Sequence, residues 1–393
     1  MKFLLLMVAS GGFGVGFDPA MGQDWMQTSA PPLNWLGIAS SADGSKLAAI
    51  APDSTGPIYI STNSGTTWVQ SGAPGFYFRA VASSADGTTL VASGYASPLG
   101  SLVCVSTNSG ATWTSNSVHF GGFTGHIASS ADGRKLVIAG GEGYSSIFTS
   151  TNSGATWRSN GAPFQDWSVT CSADGTKLLA AARVGQMYRS TNSGMAWELQ
   201  SAPSVPWTSI ACSEDATVFV AGTYYGTIYT SKDSGRTWST NGAPGGYEWI
   251  SVSSSADGTR LAAVAYGGPI YTSTNSGVTW QSNSAPSKSW ISVASSADGH
   301  KLVAAAAAVD SAGGIYASTS IPAPLVSITS GGGNLLLSWI VPSRDFILQQ
   351  NPDLTTTSWT DVTATPTLNY ANLQYQLILP LTAEPMFYRL MAL

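Results

Sequence analysis

Acid–base cleavage of a glycosidic bond needs two carboxyl groups held roughly 5 to 9.5 Å apart, so acidic residues are the first place to look for chemistry. Asp53, Glu142, Asp166, Glu248 and Asp310 fall between regularly patterned segments, where loops belong. They sit far apart along the chain, and a pair can act only if the fold gathers two of them. Aromatic residues form a second set. Trp35, Phe78, Phe123, Trp167, Trp207, Trp249 and Trp290 recur at nearly constant spacing, and Tyr95, Tyr144, Tyr224, Tyr225 and Tyr266 follow in the intervening loops. Rings with nearby hydroxyls suit sugar faces, peptide side chains and other amphipathic ligands; a ring at a fixed repeat position can equally wedge between packed sheets. His119 and His126 flank Phe123, a spacing open to a metal pair, but two solvated imidazoles in one irregular loop is the simpler reading. The three cysteines, Cys104, Cys171 and Cys212, are an odd number and give no disulfide framework. Cys171 and Cys212 share a repeat position and could lie side by side, yet free buried thiols are expected. No metal, no cofactor and no catalytic residue is assigned.

The elements that must position these residues are set by an internal repeat. One series reads Ser-Ala-Asp-Gly or a close variant and places its acid at Asp43, Asp86, Asp132, Asp174, Asp215, Asp257 and Asp298. A second reads Ser-Thr-Asn-Ser-Gly-x-Thr-Trp with small departures, at Ser61–Trp68, Ser106–Trp113, Ser150–Trp157, Ser190–Trp197, Ser231–Trp238 and Ser273–Trp280, and a seventh copy begins at Ser318-Thr319-Ser320 and then stops. Between them run strand-like segments such as Trp290–Ser295, Lys301–Ala305 and Gly226–Ser231. Asp-Gly marks a hairpin turn. In the box, Ser and Asn side chains bond nearby backbone N–H groups, Gly accepts a positive φ, and the Trp is expected to bury its ring between sheets. Four strands per repeat of about 42 residues is the count of a propeller blade. Trp25–Pro31 matches Trp197–Pro203 but has no box before it. It can supply the outer strand of the last blade and close the ring, which removes free sheet edges.

The boxes resemble the Asp-box (BNR) repeat of bacterial neuraminidases, Ser-x-Asp-x-Gly-x-Thr-Trp. Ser231–Trp238 matches it fully; the other five carry Asn at the acidic position, and Ala196 replaces the Thr in one. The resemblance spans Trp25 to Ser320 and implies a propeller turn rather than a reaction. Families with such boxes include sialidases, xyloglucan-cleaving glycosidases, sortilin-type receptors and the photosystem II assembly factor, which this chain resembles most in repeat number and length. In those families the boxes lie away from the ligand face. The chain departs from the first and last. A sialidase would need three arginines on that face and a Phe/Tyr-Arg-Ile-Pro segment, and here Arg79 and Arg183 alone fall there. The arginine patch of the assembly factor has no counterpart, because Arg79, Arg134, Arg158, Arg183, Arg189, Arg236 and Arg260 are scattered over different repeat positions.

The expected fold is all-β: a seven-bladed β-propeller over residues 23–320, closed by its N-terminal strand, then a linker at 321–324 and a small β-sandwich-like domain at 325–393. That tail carries Leu-Ser-Trp at 337–339, Phe-x-Leu-Gln at 346–349, Trp359 and Phe387–Leu390, a pattern that resembles C-terminal modules of secreted proteins from Verrucomicrobia and Planctomycetes. A role in sorting or surface attachment and a role as an inert spacer both fit it. Residues 1–22 read as a signal peptide: Lys2, an apolar Phe3–Ala9, and Ala20 and Gly22 at the −3 and −1 positions of a cleavage site. A buried first strand is the alternative. No other stretch is long and apolar enough for a transmembrane segment. Charged residues make up 9% of the chain, with a net charge of −5; nucleic acid, which needs a basic stripe, is not an expected partner. These features point to a secreted or cell-surface monomer that binds a glycan or an extracellular protein through one loop face without catalysis. The alternatives are a glycoside hydrolase using the loop carboxylates and a purely structural surface protein.

Overall fold

The computed structural model describes residues 25–392 apart from the internal segments 53–55, 97–99, 118–123, 141–146, 161–166, 184, 241, 309–312, 319–326, 332–333, 341–345, 354–355, 357, 370–373 and 381–385. All regular structure among the described residues is strand. Within each repeat the strands, A to D in chain order, pair antiparallel with their sequence neighbours. In repeat 1, for example, they are Gly37–Ser40, Leu47–Ile50, Ile58–Ser61 and Val69–Gln70. In repeat 5 the fourth strand shrinks to one bridge, Thr230 to Ser239. The N-terminal segment Trp25–Gln27 lies beside Gly314–Ser318 of repeat 7, with Trp25 opposite Ser318 and Gln27 opposite Tyr316. Trp25 packs at 6.5 Å from the Trp290 ring, and the Tyr316 hydroxyl donates to Gln27 Oε1 at 3.1 Å. The last sheet therefore takes strands from both ends of the repeat region.

A ring of backbone hydrogen bonds joins the Ser-Ala-Asp-Gly turns. The N–H of Ala42 donates to Ala85 O, Ala85 to Ala131, Ala131 to Ala173, Ala173 to Glu214, Glu214 to Ala256, Ala256 to Ala297, and Ala297 back to Ala42, each at 2.7–2.8 Å. The turn itself is held from within. Ser41 Oγ donates to Asp43 Oδ1 at 2.6 Å, the Ser45 N–H reaches the same oxygen, and Lys46 N–H donates back to Ser41 Oγ. Gly87 is required twice over: its φ is +65°, and a Cβ there would stand 2.7 Å from the Lys46 side chain of the preceding repeat.

The boxes follow the expected network and add a feature the sequence did not signal. Ser61 Oγ accepts from Gly65 N–H, Asn63 Oδ1 accepts from Thr67 N–H, and Trp68 Nε1 donates to Gly65 O. The serine before each glycine also has a positive φ: Ser64, Ser109, Ser153, Ser193, Ser234 and Ser276 lie at +53° to +63°. Two successive left-handed residues make the turn tight, and the side-chain bonds offset a backbone cost of roughly 1–2 kcal/mol for each non-glycine residue.

The two tryptophan series share the space between sheets. Box tryptophans such as Trp68 and Trp238 are half-buried and pack against the clusters that hold Trp35 and Trp207. The strand-A rings are the wedges. Trp35, Phe78, Trp249 and Trp290 are fully buried and Trp207 is 2% exposed. Each packs between adjacent sheets, as Trp207 does with the strand-B residues Ala181 and Ala221 and with Met187 of the following strand. The tail forms two further sheets, 327–331, 334–340, 374–380 and 367–369 in one, 360–361, 346–351 and 387–392 in the other, around Leu337, Trp339, Leu348, Leu377 and Tyr388.

Candidate functional site

Strand order divides the propeller into two faces. The A-to-B turns and the C-to-D boxes lie on one; the B-to-C and D-to-A loops lie on the other. Chemistry built from loops belongs on the second face, where the repeat is least regular.

The aromatic series proposed for ligand contact is corrected by burial. Trp35, Phe78, Trp207, Trp249 and Trp290 have no face to offer, because a wide flat ring gains more by filling the wedge between sheets than by meeting water. Phe123 and the side chain of Trp167 lie outside the described residues. The unequal spacing of this series has a structural reason. Trp207, Trp249 and Trp290 each precede a β-bulge, with the register shifting between Trp207 and Ser209, Trp249 and Ser251, and Trp290 and Ser292. Trp167 pairs in unbroken register and so stands one residue nearer its Asp. Six residues before the turn Asp, Ser168, Ser209, Ser251 and Ser292 each accept from an N–H of the next strand A, at 3.1–3.2 Å. His126 occupies that position in repeat 3 and lies 3.4 Å from Ser168 Oγ through Nδ1, which makes it an interblade contact. His119 lies outside the described residues, as do Asp53, Glu142, Tyr144, Asp166 and Asp310.

The tyrosines behave differently. Tyr224 and Tyr225 sit at the tip of the B-to-C loop of repeat 5, 38% and 65% exposed, with ring centroids 4.5 Å apart in an edge-to-face arrangement. Tyr225 holds a positive φ of +46°, a strained conformation for an aromatic residue that places it at the tip of the turn. The Arg183 guanidinium, from the corresponding loop of repeat 4, lies 5.6 Å over the Tyr224 ring. On the other side the phenol of Tyr224 and the Glu248 carboxylate together raise the Tyr225 phenol above its usual range. Tyr266, also exposed, is tied in by its N–H, which donates to Glu248 O at 2.9 Å. Arg183, Tyr224, Tyr225, Glu248 and Tyr266 thus form one arc across repeats 4 to 6.

The loops beneath this arc are stitched together. Gly226 bridges to Tyr247, Gly246 N–H donates to Gly226 O at 2.9 Å, and Tyr224 N–H donates to Pro206 O at 2.9 Å. The Tyr247 ring anchors the stitch on buried Trp249 at 5.4 Å and Tyr271 at 5.9 Å. Exposed polar rings on a braced backbone present contact area without much entropy to lose. Tyr95 is half-buried and pairs opposite exposed Tyr77, which makes a smaller aromatic spot in repeat 2. The sequence reading passed over Tyr77, whose only signal was its place beside Phe78.

Three other groups are structural. Cys104, Cys171 and Cys212 are free thiols, and burial pushes Cys104 and Cys212 up to about 12. Cys212 Sγ spends its donor on Cys171 O at 3.2 Å. No cluster of three or more metal-ligating side chains occurs among the described residues, and no described helix is long and apolar enough to cross a membrane.

Solved structures with this architecture share little sequence with the chain. YCF48 from Cyanidioschyzon merolae superposes with a TM-score of 0.56 at 16% identity, over 75% of this chain and 98% of that one. YCF48 bound to D1 peptide gives 0.57 at 13% identity, over 78% and 99%. The Cps50 (Swd1) β-propeller domain of Myceliophteria thermophila gives 0.60 at 12%, over 76% and 100%. At such identities the likeness establishes the β-propeller fold. No protein-family model and no curated protein matches the chain.

Proposed function

We propose that this chain is an exported, non-catalytic, seven-bladed Asp-box-type propeller that binds an exposed protein segment through its B-to-C and D-to-A loop face. The observation that carries this reading is the braced arc of Arg183, Tyr224, Tyr225, Glu248 and Tyr266. It offers aromatic faces, one cation and one carboxylate within a single sector, the mixture that suits a peptide with apolar and charged side chains. The seven-membered ring of turn hydrogen bonds supports the blade count. A propeller of this architecture, YCF48, has been solved with a peptide bound. The N-terminal pattern of Lys2, Phe3–Ala9 and Ala20-Met21-Gly22 supports export, and the tail's two sheets and single apolar core support a sandwich-like module.

A peptide array probed with the purified chain tests the binding reading. Binding should fall at least tenfold, about 1.4 kcal/mol, in Tyr225→Ala or Arg183→Ala with the unfolding midpoint unchanged. Retention of every array signal in both variants would remove the arc from the site. A glycan array run in parallel tests the second reading, which the exposed tyrosine pair also favours; sugar signals lost in Tyr225→Ala, with none for peptides, would replace the first. Mass spectrometry of the exported protein should find Gln23 at its N-terminus.

A further inference from the structure

The seven axial turns are nearly identical in sequence, yet they are not equally exposed. Asp43 is 9% exposed, Asp86 and Asp298 are half-buried, and Asp132, Asp174, Asp215 and Asp257 are exposed. The bonds within the turn do not distinguish them. Asp43 takes hydrogen bonds from Ser41 Oγ, Ser45 N–H and Ser45 Oγ; Asp174 takes the matching set from Ser172 Oγ, Thr176 N–H and Thr176 Oγ1. The shielded turns instead share a place. They belong to repeats 7, 1 and 2, which follow one another around the ring across the junction where Ala297 N–H donates to Ala42 O.

The tail packs beside these turns. Ala42, Ala256 and Ala297 form a buried apolar cluster, and Ala85, Leu368 and Tyr375 pack against it. Leu368 and Tyr375 are direct partners on adjacent antiparallel strands, so their side chains leave the same face of that sheet. Tyr375 stands opposite Trp339 on its other neighbour, with ring centroids 6.1 Å apart, which ties the contact to the tail's own core. Burial also pushes the Asp298 carboxyl up to about 7, even with the Lys301 and Arg260 cations nearby.

Repeats 7 and 1 also meet where chain order leaves a gap: the third strand of the last sheet, Gly314–Ser318, has no direct link to its fourth, Trp25–Gln27, which leads on into repeat 1. Their junction relies on the Trp25–Gln27 pairing, the Ser292–Ile38 bond and the Ala297–Ala42 bond. We infer that the C-terminal unit is a clasp: it seats Leu368 and Tyr375 on the axial alanines of repeats 6, 7, 1 and 2, closes that end of the ring, and holds shut the junction between the first and last repeats. Alanine at these positions is what lets the sheet approach, since any longer side chain would hold it off. Glu214, the one departure from alanine, falls in repeat 5, away from the contact. With the turn end covered, ligands are left the loop face.

Carbodiimide labelling of carboxylates in the native full-length protein, read residue by residue by mass spectrometry, tests this. Asp43 should label several-fold more slowly than Asp174, and Tyr375→Ser should raise the Asp43 rate towards that of Asp174 without moving Asp174. Ala297→Arg should lower the thermal midpoint clearly more than Ala173→Arg, its counterpart outside the cluster. Equal labelling of Asp43 and Asp174 in the unaltered protein overturns the inference without any variant, as does an Asp43 rate indifferent to Tyr375→Ser.

Discussion

The two faces of the propeller spend their residues differently. On the turn face the same bonds recur round the ring: Ser41 to Asp43, Ser84 to Asp86 and Ser130 to Asp132, each at 2.6 Å, with the serine of each of the six boxes accepting from its glycine. On the loop face, among the described residues, one sector gathers Tyr224, Tyr225 and Arg183. The difference teaches that closure demands identity, because each repeat must meet the next in the same way, whereas recognition demands departure from it.

The comparison breaks first at the wedges. Trp249→Ala should destabilise the chain by about 3–5 kcal/mol, since it empties a fully buried site, while Tyr225→Ala should cost within about 0.5 kcal/mol. Urea unfolding of the two variants checks this, and similar midpoints would erase the distinction between scaffold and contact rings.

Glycines sharpen it next. Gly277 in a box and Gly246 in a loop have similar φ, +78° and +82°, but a Cβ at Gly277 would stand 2.4 Å from Thr230 while one at Gly246 meets nothing within 4 Å. Gly246→Ala should cost only the backbone strain, about 1–2 kcal/mol. Gly277→Ala should exceed it by a further 1–3 kcal/mol of overpacking, on the order seen when methyl groups are forced into filled space.

A smaller effect is expected where the turn face itself breaks pattern. Glu214 replaces alanine in the hydrogen-bonded ring, and its Oε2 is shielded without a partner. Burial, with Asp215 and Asp257 adding to it, pushes the carboxyl up to about 7. A group that holds its proton more tightly when folded stabilises the fold below its ordinary range near 4.5 and loses that contribution as pH rises through about 7. Because the residue is partly exposed, the loss is about 1 kcal/mol or less. Glu214→Gln should flatten the thermal midpoint between those two pH values; an unchanged slope would assign the pH dependence elsewhere.

The smallest difference lies among the boxes. Asp233 replaces the usual asparagine, and Thr237 Oγ1 at 2.6 Å leads the donors that hold its carboxyl down to about 2. Its contribution is present above the ordinary value of 3.8 and is lost as pH falls through about 2. For so exposed a group Asp233→Asn should shift stability at neutral pH by less than about 0.5 kcal/mol while removing that acid-side slope, as thermal unfolding at pH 2 to 5 would show.

Much of this architecture was legible before folding. A turn that recurs as Ser-Ala-Asp-Gly, a box that recurs with its Trp, and an orphan Trp25–Pro31 segment imply a closed ring, because local turn chemistry and strand period act through neighbours in sequence. The Trp25 to Ser318 pairing and the Ala297 to Ala42 bond realise that closure. Composition and spacing could not say which tryptophan is fully enclosed. Trp249 and Trp280 are equally apolar, and only the angle between adjacent sheets makes a wedge for one and leaves the other half-covered. Nor could spacing gather Arg183, Tyr224 and Glu248, which come from three repeats, or bring Leu368 and Tyr375 onto alanines more than seventy residues away. Periodicity is a property of neighbours along the chain; burial and the meeting of distant side chains are set by how whole sheets stack, which no single repeat contains.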